Sequence, residues 1–228
     1  MLDMFQLFPI VFIALTSYVL RLISILPFFQ NRTDIMDNIS QDNERSPLHI
    51  SVFLGSGGHA GEMFRILENY REFLLQKENV LYIGYSDEES RIRFEKTVRS
   101  QCKVTYYKFL KAREVNAGFK NSFLGIIKTL LFSLFNVIHI RYCMLWKRHL
   151  VLLNGPGTCC ILVLWFKVIE LLFPISSSNV VYIESLARIT TLSLTGRIVY
   201  WLADEFIVQW EDLKSHQAPR ARYFGILT

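Results

Sequence analysis

Residues 48–63, LHISVFLGSGGHAGEM, are the stretch on which the interpretation of the whole chain rests. Residues 50–54 are mostly β-branched or large and apolar, which predicts a buried strand. A turn of small residues follows, made of Gly55, Ser56, Gly57 and Gly58. A helix pattern then starts near Ala60, and the unpaired N–H groups and dipole of a helix start attract anions. The stretch therefore predicts a loop that binds a diphosphate, with a tight turn that binds nothing as the alternative.

The composition indicates contact with a membrane. Of the 228 residues, 51% are hydrophobic and 18 are phenylalanine, and the formal net charge is +5. This hydrophobic fraction is higher than that of an average soluble domain. A basic balance suits an anionic lipid surface or a phosphorylated ligand. No basic run stands out, so a nucleic-acid partner is not expected.

The cysteine pattern favours a reducing compartment. The four cysteines are Cys102, Cys143, Cys159 and Cys160. None belongs to a CxxC pair, and no histidine lies at zinc-ligand spacing. We expect buried, reduced thiols and a main domain that faces the cytosol.

The first 30 residues predict a transmembrane anchor. Residues 7–29 form a mostly apolar run that spans about 34 Å as a helix, enough for a bilayer core. Its one charge, Arg21, lies near the C-terminal end and could reach the membrane interface. Arg21 and Arg32 follow the apolar centre while Asp3 precedes it, which favours a cytosolic C-terminal bulk. The alternatives are a cleaved signal peptide, disfavoured by Asp3 and by the missing small-residue cleavage site, and a buried core helix.

Residues 31–47 are polar and predict a linker between the anchor and a domain at 48–228. The linker contains two glycosylation sequons, at Asn31 and Asn38. If the domain faces the cytosol, neither sequon is modified.

Strand and helix patterns alternate along the domain. Further strands are predicted at 80–83, 104–109, 150–153, 180–183 and 206–208. Helices are predicted between them, including one capped by Ser86 and others at 159–173 and 195–202. The βαβ order predicts an α/β fold with a doubly wound parallel sheet.

Two apolar helices bear on the membrane question. Residues 119–146 predict a long helix that either covers the sheet or lies on the membrane surface with basic residues at the headgroups. Lys128, His139 and Arg141 make it a poor spanning helix. In the helix at 159–173, Lys167 and Glu170 argue against a second membrane span.

The predicted strand ends at Gly55, Asn154 and Glu184 belong to one edge of the sheet, where open α/β sheets bind ligands. Candidate site residues are therefore His59, Thr158, Glu184 and Arg188. Thr158 could cap the helix that follows it or donate to an anion. His59 could move a proton or contact phosphate, although a structural role is the alternative. Glu184 and Arg188 could instead form a simple ion pair.

Four ordered motifs together resemble one known family. They are Gly55-Ser-Gly-Gly-His59, Asn154-Gly-Pro-Gly-Thr158, Tyr182-Ile-Glu-Ser-Leu-Ala-Arg188 and Asp204-Glu-Phe-Ile-Val-Gln-Trp210. The chain resembles the membrane-anchor subunit of the two-part UDP-N-acetylglucosamine transferase of dolichol-linked oligosaccharide synthesis, the asparagine-linked glycosylation protein fourteen family. The resemblance covers the anchor and nearly all of residues 48–228.

The resemblance implies a Rossmann-like N-terminal half of a GT-B glycosyltransferase. It implies that a separate soluble subunit supplies most of the UDP-GlcNAc site, and that the complex adds a second GlcNAc to dolichyl-diphosphate-GlcNAc at the cytosolic face of the endoplasmic reticulum. His59 and Glu184 are then catalytic candidates, and neither a metal nor a cofactor is expected. The acceptor diphosphate would contact Gly55, Ser56, Gly57, Gly58, Asn154, Gly155, Gly157, Thr158 and Arg188.

Two other functions remain open. Gly55-x-Gly57-x-x-Ala60 matches the dinucleotide fingerprint in form, and Asp87 lies near the second strand, so a membrane-bound NAD-dependent oxidoreductase is possible. Against it, Gly84, Tyr85 and Ser86 separate Asp87 from the predicted end of the second strand. The other alternative is a non-enzymatic anchor that only recruits a partner.

Overall fold

A seven-stranded, all-parallel sheet forms the centre of the protein. The computed structural model describes residues 4–25, 27, 46–98, 101–110, 119–173 and 175–228. The strand order is β3-β2-β1-β4-β5-β6-β7, so the direction of winding reverses between β1 and β4, and the predicted doubly wound sheet is confirmed. The strands are β1 (His49–Leu54), β2 (Val80–Tyr85), β3 (Lys103–Lys108), β4 (His149–Asn154), β5 (Val180–Ile183), β6 (Glu205–Val208) and β7 (Arg222–Tyr223).

Helices cover both faces of the sheet. One core contains side chains of α5, α6, α7 and α8, and the other contains side chains of α2, α3 and α4. The described helices are α1 (Met4–Ile25), α2 (Gly58–Asn69), α3 (Arg71–Leu74), α4 (Glu88–Thr97), α5 (Phe119–Met144), α6 (Thr158–Leu172), α7 (Leu194–Val199) and α8 (Glu211–His216).

The central strands are buried on both sides, as parallel strands between helix layers must be. In β1, Ile50, Val52 and Leu54 belong to the core beneath α2, and Phe53 belongs to the core beneath α6. This burial explains why β1 is almost continuously apolar. It also fixes its register, because a one-residue slip would exchange the two faces.

The predicted boundaries mostly hold within two residues, but the predicted cap of α4 is wrong. Asp87, not Ser86, caps α4: its carboxylate accepts a hydrogen bond from the Ser90 N–H at 2.8 Å. The reason is that β2 continues to Tyr85, which moves the turn along the chain. The helix predicted at 195–202 is the shorter α7, and its cap is Ser193. The two-residue strand β7 was not predicted.

Helix α1 is long and apolar enough to cross a membrane. Residues Phe8–Ile25 have a mean hydropathy of 2.0, and none of this window is buried. A buried core helix is therefore the wrong alternative for this segment. It is the one such helix in the described part of the chain. The predicted linker, apart from Ser46 and Pro47, and both sequons lie outside the described residues.

A buried charge network fixes the last turn of α6. The Lys167 ammonium lies 3.1 Å from a carboxylate oxygen of Glu170 and 2.6 Å from one of Asp204. The second oxygen of Asp204 accepts from the Val180 N–H at 2.8 Å, and Glu170 accepts from the Ser178 N–H. Helix α6 is thereby tied to the start of β5, and it is a core helix and not a second membrane span.

We expect Lys167→Met to destabilise the protein by about 3–5 kcal/mol, because it leaves two buried carboxylates without their cation. The measurement is denaturant unfolding of the detergent-solubilised chain. Lys214→Met, at an exposed position of α8, is the control and should change stability by less than about 0.5 kcal/mol. Equal stability of the two variants would contradict this account of the network.

Candidate functional site

The site is built from two glycine loops that touch each other. The first loop joins β1 to α2, and the second joins β4 to α6. A Cβ on Gly55 would lie 2.9 Å from a Pro156 ring carbon, and a Cβ on Gly155 would lie 2.0 Å from Nδ1 of His59. The His59 ring therefore rests directly on the backbone of Gly155. These contacts confirm that the predicted strand-end loops lie together.

The first loop has the backbone of an anion site. Gly57 has φ 59° and ψ −123°, which only glycine adopts readily, and it is the N-cap of α2. A Cβ on Gly57 or on Gly58 would meet nothing within 4 Å. The first N–H groups of α2 have no acceptor within the helix. The loop thus presents donors beside open space.

The second loop offers fewer backbone donors. The N–H of Cys159 donates to the Pro156 carbonyl at 2.8 Å, and that of Cys160 donates to Gly157 at 3.1 Å. Gly157 is the N-cap of α6, and no side chain caps this helix. Thr158 is already helical and is buried, so the prediction that it caps α6 is wrong. The helix starts one residue sooner than predicted, and an anion would find most donors at α2.

Glu62 connects α2 to the ends of β4 and β5, and sequence analysis missed it. One carboxylate oxygen accepts from Nδ2 of Asn154 at 3.0 Å, and the other accepts from the Ser185 hydroxyl at 2.8 Å. Asn154 also donates to the Ile183 carbonyl at 3.2 Å. The sequence could have indicated Glu62, because it lies three residues after His59 and both side chains therefore lie on one face of α2.

Two polar atoms of these loops are buried without a hydrogen-bond partner among the described residues. They are Nδ1 of His59 and Oδ1 of Asn154. Buried polar groups are nearly always paired in folded proteins, so such atoms call for an explanation. Here both belong to the touching loops, which indicates retained hydrogen-bonding capacity at the place where a ligand would bind.

Glu184 is fully buried at the end of β5. One carboxylate oxygen accepts from the Ser185 N–H at 3.1 Å, and the other accepts from the N–H and hydroxyl of Ser193 at 3.1 and 3.0 Å. Burial raises the pKa of this carboxyl above its ordinary value, and the Ser185 and Ser193 hydrogen bonds partly oppose the rise. These contacts give Glu184 a positioning role for the loop that leads into α7. Its catalytic role stays a prediction.

Arg188 is exposed on the loop after β5. In the described part of the chain it forms no ion pair with Glu184, whose carboxylate faces Ser185 and Ser193 instead. The simple ion-pair alternative is therefore wrong. The Arg188 guanidinium is left on the surface of the edge that carries the loops.

The Asp87 side chain has a structural role as the N-cap of α4. Its carboxylate accepts from the Ser90 N–H at 2.8 Å. The one proton of the Ser90 hydroxyl is shared between the Gly55 carbonyl at 2.8 Å and the second carboxylate oxygen of Asp87 at 3.1 Å. Only Ser86 separates Asp87 from the observed end of β2, so the predicted distance argument against a dinucleotide was wrong. The capping role is the better argument, because a ribose would have to compete with it.

The four cysteines are free, as predicted. Cys102 and Cys159 are buried, whereas Cys143 and Cys160 are only half-buried. Burial raises the pKa of Cys160 to about 11, so this thiol is protonated at neutral pH.

Comparison with known proteins gives one consistent result. Residues 50–227 match the family model described as oligosaccharide biosynthesis protein Alg14 like. The chain is 52% identical to the UDP-N-acetylglucosamine transferase subunit ALG14 of Saccharomyces cerevisiae over 96% of each chain. It is 50% identical to the subunit of that name from Candida glabrata over 92% of each. Among solved structures, it is similar to MurG of Acinetobacter baumannii, with a TM-score of 0.48 and 10% identity over 71% of this chain and 41% of that one.

We expect Gly155→Ala to destabilise the protein by about 1–3 kcal/mol or more, because φ is +79° there and the new methyl meets the His59 ring. His59→Ala should relieve the steric part. The measurement is a double-mutant cycle by denaturant unfolding, with an expected coupling of about 0.5–3 kcal/mol. Additive effects would show that the ring does not rest on Gly155.

Proposed function

We propose, because this chain belongs to the Alg14 family of oligosaccharide biosynthesis proteins, that it is the membrane-anchoring, acceptor-side subunit of a two-part glycosyltransferase. Its relatives are named UDP-N-acetylglucosamine transferase subunits. The proposed reaction adds a second GlcNAc to dolichyl-diphosphate-GlcNAc. Residues 48–228 then form the acceptor-side, GT-B-like domain, and residues 1–30 form the anchor.

The observation that carries the proposal is the open donor set of Gly57 and Gly58 beside the second loop. A diphosphate needs several N–H donors and positive potential in a site that its oxygens can approach closely. The start of α2 supplies both, and its glycines leave the space free. Arg188 is the cation that the neighbouring loop offers to the same ligand.

The proposed chemistry needs a base near the acceptor sugar and a donor held by the partner. The acceptor hydroxyl attacks the anomeric carbon of UDP-GlcNAc, UDP leaves, and the hydroxyl proton must be accepted. His59 is suited to this role because it lies at the loop and is half-buried. Glu62 is held by Asn154 and Ser185 through both oxygens, so we assign it to positioning.

An apolar groove near the C-terminus is a suitable docking surface for the soluble subunit. The groove has a volume of about 350 Å³ and is lined by Ile66, Tyr70, Phe73, Val181, Ile207 and Phe224, among other residues. Phe224 and Ile226 are 55% and 56% exposed, whereas Leu227 is 7% exposed. The tail is thus divided between two roles. Leu227 packs in this chain's own core, and its exposed neighbours are free to meet an apolar segment of a partner.

The buried end of the tail is tied to the site through one side chain. Gln209 accepts a hydrogen bond from the Leu227 N–H at 3.1 Å and donates one to the Glu184 carbonyl at 3.0 Å. Gln209 is 1% exposed. The tail and the end of β5 are therefore held by a common amide.

A non-enzymatic anchor is the remaining alternative. It differs from the proposal in one measurable respect: changes in the glycine loops would leave transfer intact as long as the partner is recruited. The family names favour a transferase subunit over a dinucleotide-dependent oxidoreductase, and the capping role of Asp87 agrees with that choice.

We expect Gly57→Val to abolish most transfer, by about 10²-fold, while the protein stays folded and keeps its partner. The branched side chain strains a positive φ and fills the space beside the donors. Gly61→Ala is the matched control: it lies one turn into α2, a Cβ there also meets nothing, and alanine favours helix. Near-normal turnover of the Gly57→Val complex with the lipid acceptor would remove the loop from the site.

We expect Asn31 and Asn38 to remain unmodified, because the proposed orientation keeps the residues after α1 in the cytosol. The measurement is endoglycosidase treatment of microsomes followed by gel electrophoresis. A mobility shift that disappears on Asn31→Gln or Asn38→Gln would reverse the orientation and place the domain in the lumen.

We expect Phe224→Ser combined with Ile226→Ser to release the soluble subunit while the chain itself stays abundant in the membrane. Both side chains are exposed, so their loss should cost this chain little stability. Leu227→Ala is the control for the buried position and should lower the stability of the chain instead. Deletion of residues 223–228 should show both effects. Co-purification at wild-type stoichiometry after the double substitution would sink the docking assignment.

A further inference from the structure

Arg21 attaches the anchor to the domain. One terminal nitrogen of its guanidinium donates to the carbonyls of Glu170 and Phe173 at 2.7 and 2.6 Å and lies 3.3 Å from the Ile175 carbonyl. These carbonyls lie at the C-terminal end of α6, where the helix dipole favours a cation. The acceptor end is rigid, because Lys167 and Ser178 hold Glu170 in place. Helix α1 is thus docked on α6. The sequence predicted only that Arg21 reaches toward the membrane interface, whereas in the structure it also binds the end of α6.

The docking fixes the depth of one part of the domain. Arg21 lies four residues before the end of α1, near one boundary of the apolar window Phe8–Ile25. Its acceptors must therefore lie near the same level. Leu172 and Phe173, at this end of α6, are 62% and 56% exposed. Apolar side chains in that position would enter the interfacial layer.

The helix layer that contains α6 has apolar outer faces. In α5, the exposed side chains Leu131, Phe135, Ile138 and Tyr142 follow one another at helical spacing. On the other side of α6, Leu194 and Ile198 of α7 and Trp201 in the turn just after it are also exposed. Both helices pack against α6. These two groups of exposed apolar side chains therefore flank the helix on which the anchor is docked.

Of the helices on this side of the sheet, α5, α6 and α7 carry no exposed carboxylate, whereas α8 carries the exposed Glu211 and Asp212. No Asp or Glu occurs between Glu114 and Glu170 or between Glu184 and Asp204, although basic residues such as Lys128, Lys147 and Arg197 do. The opposite layer is mixed in charge: α2 and α4 carry five glutamates, Glu62, Glu68, Glu88, Glu89 and Glu95, beside four basic residues, Arg65, Arg91, Arg93 and Lys96. A basic, apolar surface without carboxylates suits anionic headgroups.

We infer that the outer face of the α5–α6–α7 layer lies flat on the bilayer surface, held there by the Arg21 contact with α6. This rests on the proposed function, because the acceptor diphosphate is joined directly to a membrane lipid. Helix α6 is 15 residues long, about 22 Å. A domain standing upright on the C-terminal end of α6 would hold the glycine loops that distance from the lipid. A flat layer keeps them at the level of the headgroups.

The first experiment measures orientation without turnover. The complex is reconstituted in phosphatidylcholine–phosphatidylserine vesicles with one nitroxide label, either at Phe135→Cys on α5 or at Ile92→Cys on α4, in a background that carries Cys143→Ser and Cys160→Ser. We expect the label at 135 to be relaxed mainly by lipid-soluble oxygen and the label at 92 mainly by a water-soluble nickel chelate. A label at 135 that prefers the nickel chelate overturns the inference. Protection at 135 that needs the soluble subunit also overturns it and gives the stripe to the partner.

The second experiment separates the inference from the proposed function. Each complex is assayed with a long-chain diphosphate acceptor in the vesicles and with a short-chain, water-soluble acceptor. Activity of the wild type on the short acceptor tests the proposed function alone. We expect Phe135→Glu to lose about tenfold or more on the long acceptor but little on the short one. Ile92→Glu, on the polar layer, is the matched control and should keep both. Equal loss of Phe135→Glu on both acceptors overturns the inference.

Arg21 is tested as a positioning residue in the same assay. Arg21→Leu makes α1 more apolar, so the chain should stay inserted. We expect its transfer activity on the long acceptor to fall about tenfold or more, because the loss of one charged hydrogen bond shifts the docked population by about that factor. We also expect the label at position 135 to lose its preference for relaxation by oxygen. Arg21→Lys keeps the charge and should restore part of both. Wild-type behaviour of Arg21→Leu in both readouts overturns the role of Arg21.

Discussion

The two glycine loops meet because β1 and β4 are hydrogen-bonded neighbours in parallel register. His49 pairs with His149 and Val52 with Leu152, so both strands reach the same edge of the sheet with their following loops side by side. All other features of the site depend on this pairing. It places the His59 ring over Gly155 and brings the start of α2 to the start of α6. Strands in another order would leave each loop as an isolated turn.

Glu62 stabilises this arrangement at its centre. A carboxylate that accepts from Asn154 and Ser185 joins the first turns of α2 to the ends of β4 and β5. Removal of one partner would leave a charged group with fewer hydrogen bonds in a half-buried place, which is costly. The site is therefore defined by hydrogen bonds between strand ends as well as by glycine geometry. The open donors near Gly57 can stay directed at a ligand because Glu62 fixes the loops behind them.

Much of this architecture could be predicted from the sequence, because β1 and β4 are short apolar runs followed by glycine loops. The parallel, doubly wound sheet and the shared edge followed from the βαβ pattern, whereas the strand order is known only from the structure. The contacts of single side chains did not follow. The Thr158 cap was wrong because α6 starts one residue earlier than predicted, which makes Gly157 the N-cap. The Glu184–Arg188 pair was wrong because Ser193 donates to the Glu184 carboxylate instead. Glu62 was missed since its partners lie 92 and 123 residues away in the chain.

Gln209 links the segment beside the candidate site to the C-terminal tail, where we propose that the soluble subunit binds. Its single amide holds the backbone at both Glu184 and Leu227, while Asn69 of α2 separately donates to the Leu227 carbonyl at 2.9 Å. If binding of the proposed partner at the tail changes the affinity for the proposed acceptor at the loops, thermodynamic reciprocity requires the acceptor to change the affinity for the partner by the same factor.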